Sequence, residues 1–352
     1  MIPRRCSPEK GEILDWFAFS GGVVTAFSDT PFDCRFSVKK RFLRMRAQHV
    51  EHYTVSVSST SMHHFALRAK IDFRRGIIAG LEVFMRVIQR LLERLLQALR
   101  EPEATAIADL DGPEAAVAFR RLIRRKPLLR ALYNDFYAQL VAASDERRPL
   151  IEVGSGSGFL RELCPEALVG DLLPAPDLDL RFSGLDLPFR DHSVGGFVMF
   201  DVFHHVPNAE LFLEEMHRCL RMSGRIVMIE PAVTTFSRII YGKFHHEPFD
   251  PAASEWRFLP GGARSTSNGA LPWIVFVRDK ERFLREFPGL AIVDVHVHTP
   301  FRYLLSGGLS LRQMLPGRMN GLILAAEKLL RPFHAHLGLF MTITLEKCPA
   351  AT

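Results

Sequence analysis

Cysteine is scarce and dispersed in this chain of 352 residues. The five cysteines lie at positions 6, 34, 164, 219 and 348, and no two of them form a C-x-x-C pair. Disulfide frameworks and structural zinc sites both need cysteines at paired, regular spacings. We therefore expect free thiols in a reducing compartment.

Long apolar runs are also missing. No stretch reaches the roughly 20 apolar residues that a membrane-spanning helix needs. No N-terminal stretch combines a basic segment with a clean apolar segment, as a secretory signal would. Hydrophobic residues make up 47% of the chain and charged residues 24%, an ordinary balance for a globular protein. The sequence thus predicts a cytoplasmic protein.

Acidic residues are few only in the front of the chain. The formal net charge is +6, and the first 130 residues hold 23 lysines and arginines against 14 acidic residues. The remaining residues hold 22 against 25. A basic chain can bind nucleic acid, but no basic stripe interleaved with aromatic residues and no N-P-P-Y-type motif is present. We do not expect a nucleic-acid partner.

The stretch LIEVGSGSGFLRELCPEALVGDLLP, residues 150–174, organises the rest of the chain. Its apolar start predicts a buried strand that ends in a loop with glycine at positions 154, 156 and 158. Glycine lets a main chain take positive φ and lets a ligand approach it closely. We expect a short helix at 159–163 and then a second strand that ends at Asp171. A carboxylate one βα unit after such a loop can accept hydrogen bonds from ribose hydroxyls.

The dinucleotide fingerprint G-x-G-x-x-G is absent from this loop. The loop reads E-x-G-x-G-x-G, with Glu152 inside the strand, and so lacks the spacing that brings a pyrophosphate to a helix N-terminus. It resembles motif I of the class I S-adenosylmethionine-dependent methyltransferases. Their ligand has a ribose and a sulfonium but no phosphate.

Further motifs extend this resemblance from residue 150 to residue 231. LPFRDHS (187–193), MFDVFHHVPN (199–208), RCLRMSGR (218–225) and IVMIEP (226–231) follow in the order of the methyltransferase type 11 pattern. The resemblance implies S-adenosylmethionine as cofactor and methyl transfer as reaction. The candidate cofactor-binding residues are Glu152, Gly154, Ser155, Gly156, Gly158, Asp171, Ser183, Leu185 and Asp201.

Two positions depart from the family pattern. Ser183 stands where the family usually has an acidic residue near the adenine amino group. Gly195 stands where an aspartate usually begins the fourth strand. Both departures support an alternative, in which the protein keeps the fold and the cofactor but serves as a non-catalytic scaffold.

Strands that alternate with helices predict an α/β fold: a doubly wound, mainly parallel seven-stranded sheet with an N-terminal helical extension. The glycine loop, Asp171, Asp201 and Glu230 all fall at carboxyl ends of strands, where ligands bind in such sheets. The family fold implies a closing antiparallel pair. Further strands are expected at 178–182, 196–200, 225–230, 294–298 and 339–347, and helices at 115–125, 127–143, 208–220 and 320–330.

The chain divides into three parts by pattern. Residues 1–76 show no sustained periodicity and stay unassigned, either weakly ordered or upstream of the true start. Residues 77–113 comprise an amphipathic helix, 77–100, and a polar linker; the helix could contact a membrane surface or a partner. Residues 114–352 form the methyltransferase domain. Its insertions at 232–280 and 299–338 are candidate walls of the substrate pocket.

Methyl transfer from a sulfonium needs positioning of the acceptor and, for a hydroxyl or amine, removal of a proton. His205 follows the fourth strand beside the expected methyl group, whereas we expect His204 to cap or pack. Alternating His296 and His298 share one strand face, which favours packing. H-H-E has no recognised zinc spacing, so no metal is expected. The candidate catalytic residues are His205, Tyr241, His245, His246 and Glu247.

The leading prediction is methyl transfer to an unidentified small-molecule, sugar-containing or lipid-like acceptor, because the insertions are apolar and aromatic. The second is the non-catalytic scaffold. The third is a nucleic-acid methyltransferase, suggested only by the sequence pI of about 9.2.

Overall fold

In the computed structural model, the chain forms two compact units, Met1–Leu95 and Leu96–Thr352. The structure describes five strands of the first unit, residue 94, and residues 97–349 except 157, 176, 246 and 260. The five strands are β1 (Phe17–Ser20), β2 (Val23–Ala26), β3 (Asp33–Val38), β4 (Arg41–Arg46) and β5 (Thr54–Ser56). In the first unit, β1, β2 and β5 form an antiparallel sheet, and β3 pairs with β4 as an antiparallel hairpin. Sequence patterns left this part of the chain unassigned.

The second unit is built on a seven-stranded sheet. Its strands are β6 (Leu150–Val153), β7 (Leu168–Asp171), β8 (Leu180–Arg181), β9 (Val194–Phe200), β10 (Leu220–Pro231), β11 (Leu290–His298) and β12 (Phe340–Lys347). Their order is β11-β12-β10-β9-β6-β7-β8. The β12 strand pairs antiparallel with both neighbours, and the other neighbouring pairs are parallel. The predicted mainly parallel sheet with an antiparallel closing strand is confirmed.

Helices cover both faces of this sheet. They are α1 (Pro102–Thr105), α2 (Pro113–Arg125), α3 (Pro127–Ala143), α4 (Ala209–Cys219), α5 (Thr235–Phe244), α6 (Leu271–Trp273), α7 (Lys280–Glu286), α8 (Arg302–Ser306), α9 (Asn320–Leu329) and α10 (His334–Leu337). The sequence explains several starts. Proline occupies the first turn of α2 and α3, the Asn208 side chain accepts from Leu211 N to cap α4, and Thr234 forms a capping box with Ser237 in α5.

Two apolar cores lie on opposite sides of the sheet, because side chains alternate along each strand. On β9, Phe197 and Met199 join one core, with α4, and Val198 and Phe200 join the other, with α3. All seven residues of β9 are buried, as expected for a central strand that is covered on both faces. The sheet therefore presents only its edges and strand ends to ligands.

Two local predictions differ from the structure. The helix expected at 159–163 is a single 3-10 turn, Leu160–Glu162, because Cys164 and Pro165 follow too soon for a longer helix. The stretch expected to be a linker is folded within the second unit: Glu101 is buried, with Oε2 3.6 Å from Lys126 Nζ, and Lys126 Nζ donates to the Gly308 carbonyl at 2.9 Å.

Within the described part of the chain, no helix is long and apolar enough to cross a membrane. Most of the amphipathic helix predicted at 77–100 lies outside the described residues. Its described residues 94 and 97–99 are helical.

Candidate active site

A cavity of about 980 Å³ opens at the carboxyl ends of β6, β7 and β9. Seven of the nine predicted cofactor-binding residues line it: Gly154, Ser155, Gly156, Asp171, Ser183, Leu185 and Asp201. Both insertions line it too, from Ile240 to Arg264 and from Tyr303 to Met314, and so do Tyr133 and Tyr137 of α3. Strand ends that are far apart in sequence thus meet at one ligand-sized site.

The glycine loop takes the backbone conformation that its composition predicts. Gly154, Gly156 and Gly158 have φ of 68°, 48° and 67°. Residues with a side chain rarely adopt φ angles in this range. A Cβ on Gly154 would also lie 2.6 Å from Val202 Cγ2. At Gly158 nothing would meet an added Cβ within 4 Å. The loop therefore leaves open space beside its main chain, as a ligand that contacts the backbone requires.

Asp171 holds the glycine loop from the end of β7. Its Oδ2 accepts from Gly156 N at 2.8 Å, and its Oδ1 accepts from Leu173 N at 2.8 Å. Arg264 Nη2, from the insertion after β10, lies 3.9 Å from Oδ2. The carboxylate is thus fixed at the cavity wall, where ribose hydroxyls could donate to it.

Glu152 lies beneath the loop and outside the cavity wall. Its side chain is buried and accepts from Ser155 Oγ at 2.7 Å. Burial raises the pKa of Glu152 to about 7, although hydrogen bonds with Ser155 and Tyr137 oppose the rise. The structure therefore places Glu152 as a support of the loop, and Gly158 likewise lies outside the wall. The assignment of both residues to the cofactor site stays a prediction.

The two departures from the family pattern fall in different places. Ser183 lines the cavity, and its Oγ accepts from Leu185 N at 3.1 Å, so the side chain is used to form a turn. Gly195 lies at the opposite end of β9, and a Cβ there would overlap the backbone of Arg148. Close packing against Arg148 therefore explains the glycine at position 195, which lies outside the cavity. This glycine is no evidence that cofactor binding has been lost.

A buried ionic cluster lies where β9 and β10 end. His204 Nδ1 lies 2.7 Å from Glu230 Oε2, and His204 Nε2 lies 3.3 Å from Glu247 Oε2; His204 and Glu230 are fully buried. Glu230 Oε1 also accepts from Val202 N at 2.9 Å and Phe203 N at 2.7 Å. His204 therefore joins the sheet to the insertion after β10 through buried contacts. We had expected it only to cap or pack at the start of the following helix.

The charges of this cluster follow from its contacts. Burial by itself lowers the pKa of His204, but the hydrogen bonds with Glu230 and Glu247 outweigh it and raise the pKa well above the usual value. Burial by itself raises the pKa of Glu247, and contact with His204 outweighs this and lowers it to about 2. One imidazolium thus lies between the carboxyl groups of Glu230 and Glu247.

His205 is the neutral neighbour of this cluster. Burial, followed by the charge of His204, lowers the pKa of His205 to about 4. Its Nδ1 lies 3.1 Å from the Thr266 carbonyl, which can only accept, so Nδ1 carries the proton and Nε2 the free lone pair. His205 lines the cavity, and its Nε2 lies 3.9 Å from Glu247 Oε1. A proton acceptor therefore faces the site at neutral pH.

The other predicted catalytic residues have different environments. Tyr241 lines the cavity, but its hydroxyl donates to the Leu339 carbonyl at 2.8 Å and burial raises its pKa well above the usual value. The Tyr241 hydroxyl thus anchors α5, and the catalytic role of Tyr241 stays a prediction. His245 and Glu247 line the cavity, with His245 Nδ1 3.9 Å from Glu247 Oε2. His246 lies outside the described residues.

Sequence reasoning missed several residues that the fold brings to the site. Glu230 was noted only as a strand end, yet it is the buried partner of His204. Arg264, Tyr133 and Tyr303 carry no motif, and they reach the cavity from an insertion loop, α3 and α8. The one signal in the sequence was Glu230, a carboxylate at the end of an apolar strand. A buried ionised group needs a partner of opposite charge, so its position indicated a buried ionic contact.

Comparison with known proteins agrees with the sequence motifs. The family model described as "Methyltransferase domain" matches residues 151–228, the segment that carries β6 to β10. No curated protein matches the chain.

Several solved structures are similar to this chain at low identity and low TM-score. Geranyl diphosphate C-methyltransferase from Streptomyces coelicolor A3(2), crystallised with Mg²⁺, geranyl diphosphate and S-adenosyl-L-homocysteine, is 14% identical over 71% of this chain and 89% of its own, with a TM-score of 0.39. A SAM-dependent methyltransferase from Archaeoglobus fulgidus is 16% identical over 62% of this chain and 94% of its own, with a TM-score of 0.38. Similarities at this level do not identify an acceptor. Residues 151–228 thus match a methyltransferase domain, and this segment carries the glycine loop and Asp171 that line one cavity.

Proposed function

We propose that the chain transfers a methyl group from S-adenosylmethionine to a lipid-like small molecule that bears a hydroxyl or amine. The observation that carries this proposal is the apolar wall that the two insertions contribute to the cavity. That wall is made by Ile240, Phe244, Leu304, Leu309, Leu311 and Met314. A sugar-containing acceptor would need more polar groups along this wall, so the wall favours an apolar acceptor.

The cofactor half of the cavity has the groups that the cofactor needs. Asp171 would accept from the ribose hydroxyls, and the main chain at Gly156, which has no side chain and lines the cavity, would allow close approach. Ser183 and Leu185 lie on the same wall and offer backbone groups to adenine. When bound there, S-adenosylmethionine supplies an electrophilic methyl group on a sulfonium.

The acceptor half supplies a proton acceptor and negative charge. We assign to His205 Nε2 the hydrogen bond from the acceptor's hydroxyl or amine. On a hydroxyl acceptor, positive charge develops on the oxygen as its bond to the methyl carbon forms and the bond between that carbon and the sulfonium sulfur breaks. The hydroxyl proton then becomes strongly acidic, so even a base with a pKa of about 4 suffices. Glu247, 3.9 Å from His205 Nε2, would stabilise the resulting imidazolium.

The test uses S-adenosylmethionine labelled on its methyl group and an organic extract of cells as the source of acceptor. Label should enter the organic phase with the intact protein. His205→Ala should slow this transfer by about 10²-fold to 10⁴-fold, the usual contribution of a general base. Cofactor affinity, measured by calorimetry, should stay within about twofold, because His205 faces the acceptor half.

Two results would overturn the proposal. Cofactor binding without any labelled organic product would favour the non-catalytic scaffold. Unchanged transfer by the His205→Ala variant would remove His205 from the chemistry.

A further inference from the structure

We propose that the second unit docks on an anionic lipid bilayer through a surface that surrounds the cavity mouth. This docking surface consists of Ile239 and Phe244 of α5, Met314, and Leu322, Leu329 and Phe333 of the segment that contains α9 and α10. The proposal rests on the proposed function, since an acceptor of lipid character would reach the cavity from that bilayer.

The apolar side chains of this surface are unusually exposed. Leu329 is 81% exposed, Leu322 64% and Phe333 56%. Leu322 and Leu329 are seven residues apart in α9 and so share one helix face, whereas Ile323 and Glu327 face the protein. Clustered exposed apolar side chains of this size mark an interaction surface.

The charge of the docking surface favours an anionic partner. Residues 309–338 hold four cationic side chains, Arg312, Arg318, Lys328 and Arg331, and all four are exposed. Their one acidic residue, Glu327, is buried and accepts from Arg302 Nε at 2.9 Å. The exposed charge of the segment is therefore entirely positive.

The α5 helix also combines basic residues with exposed apolar residues. It carries Arg238 and Lys243 with no acidic residue, beside Ile239 and Phe244, each 48% exposed. Basic residues interleaved with exposed apolar ones match a layer of anionic headgroups above acyl chains. A second copy of the same surface would meet it with like charge, which disfavours self-association there.

The surface continues into the cavity. Phe244 and Met314 both line the cavity, and Met314 is 41% exposed. The α5 and α10 helices pack against each other, which joins the two halves of the surface. An acyl chain could thus pass from the bilayer to the apolar wall without crossing water.

The experiment is flotation of the full chain with vesicles. Equimolar phosphatidylcholine and phosphatidylglycerol vesicles should carry the protein, whereas pure phosphatidylcholine vesicles should not. The double variant Leu329→Ser, Phe333→Ser should weaken binding by about 30-fold, because both side chains lose apolar burial. Lys328→Glu with Arg331→Glu should weaken it by a similar factor of about 30, and this second loss should shrink as salt is added.

Leu259→Ser is the matched control, since Leu259 is 87% exposed and outside both the docking surface and the cavity wall. Its vesicle binding should equal that of the unchanged chain. Absence of flotation on anionic vesicles, or equal loss in the Leu259 variant, would overturn the proposal. It would also be overturned if the Leu329 and Phe333 variant changed only the oligomeric state, which would assign the surface to a second copy.

Failure here is distinguishable from failure of the proposed function. Label transfer to extracted acceptor dispersed in detergent requires no bilayer. Transfer without vesicle binding refutes the docking surface alone, and vesicle binding without transfer refutes the methyl acceptor alone.

Discussion

Glu230 Oε2 and His204 Nδ1 lie 2.7 Å apart, and neither side chain is exposed to solvent. The carboxylate ends β10, and the imidazole follows β9, so this contact joins neighbouring parallel strands just beyond their ladder. Glu247 meets the other nitrogen of the same ring. The contacts that join β9, β10 and the insertion after β10 at this point therefore depend on one buried histidine.

Removal of the Glu230 charge should destabilise the fold strongly. Glu230→Gln leaves a buried imidazolium with one carboxylate partner, and breaking a buried ion pair costs about 3 to 5 kcal/mol of unfolding free energy. Urea unfolding followed by circular dichroism measures this change. Glu346→Gln is the control, since that carboxylate pairs with Arg225 in a partly exposed position and should cost about 1 kcal/mol or less. Equal costs would contradict the assignment.

The pair of His204 and Glu247 predicts a pH window for stability. The folded pKa of His204 is raised above its usual 6.5, so its stabilising contribution is complete below pH 6.5 and is lost as the pH rises through the folded pKa. The folded pKa of Glu247 is lowered from 4.5 to about 2, so its contribution is complete above pH 4.5 and is lost as the pH falls toward 2. The contribution of the pair should therefore be greatest between pH 4.5 and 6.5.

The measurement is the difference in unfolding free energy between the intact chain and His204→Gln across pH. The difference should be largest inside that window and should shrink on both sides. His296→Gln, at a half-exposed histidine beside Asp294, serves as the control and should give a small difference throughout. A difference that grows above pH 8 would contradict the assignment of the charge to His204.

Cofactor affinity should depend on the backbone of the glycine loop. Gly154→Ala places a Cβ 2.6 Å from Val202 Cγ2 at a φ of 68°, so the loop must shift. We expect calorimetry to show at least about tenfold weaker binding of S-adenosylmethionine, given a backbone strain of about 1 to 2 kcal/mol. Gly242→Ala in α5, where nothing lies within 4 Å, should leave affinity unchanged. If both variants bind equally well, the loop is not the cofactor site.

The Tyr241→Phe variant distinguishes a structural role of the Tyr241 hydroxyl from a catalytic one. The change removes the hydroxyl that donates to the Leu339 carbonyl at 2.8 Å and leaves that carbonyl with its bond from Ala232 N at 2.8 Å. Stability should fall by about 0.5 to 1.5 kcal/mol in urea unfolding, the usual net worth of one hydrogen bond. Methyl transfer below the unfolding transition should stay within about twofold, since no proton is taken by Tyr241. A loss of transfer of about 10²-fold without a loss of stability would restore the catalytic role.

Much of the fold was predictable because the strands of the sheet can be recognised from short stretches of sequence. Residues 150–153 and 194–200 are short apolar runs bounded by polar residues and glycine, and a strand covered on both faces requires such runs. Their boundaries moved by a few residues at most. The 3-10 turn at Leu160–Glu162 was missed because helix length there is limited by the chain that follows.

The sequence by itself determined the glycine loop, Asp171 and their place at the carboxyl ends of two strands, since these depend on main-chain conformation and short-range spacing. Only the tertiary structure decided which ionisable residues act as a unit. His204, Glu230 and Glu247 are separated by up to 43 positions, and no local pattern tells which of several histidines will be buried between two carboxylates. The same holds for Tyr241 and Gly195, whose roles follow from one carbonyl and one neighbouring backbone that approach from distant parts of the chain.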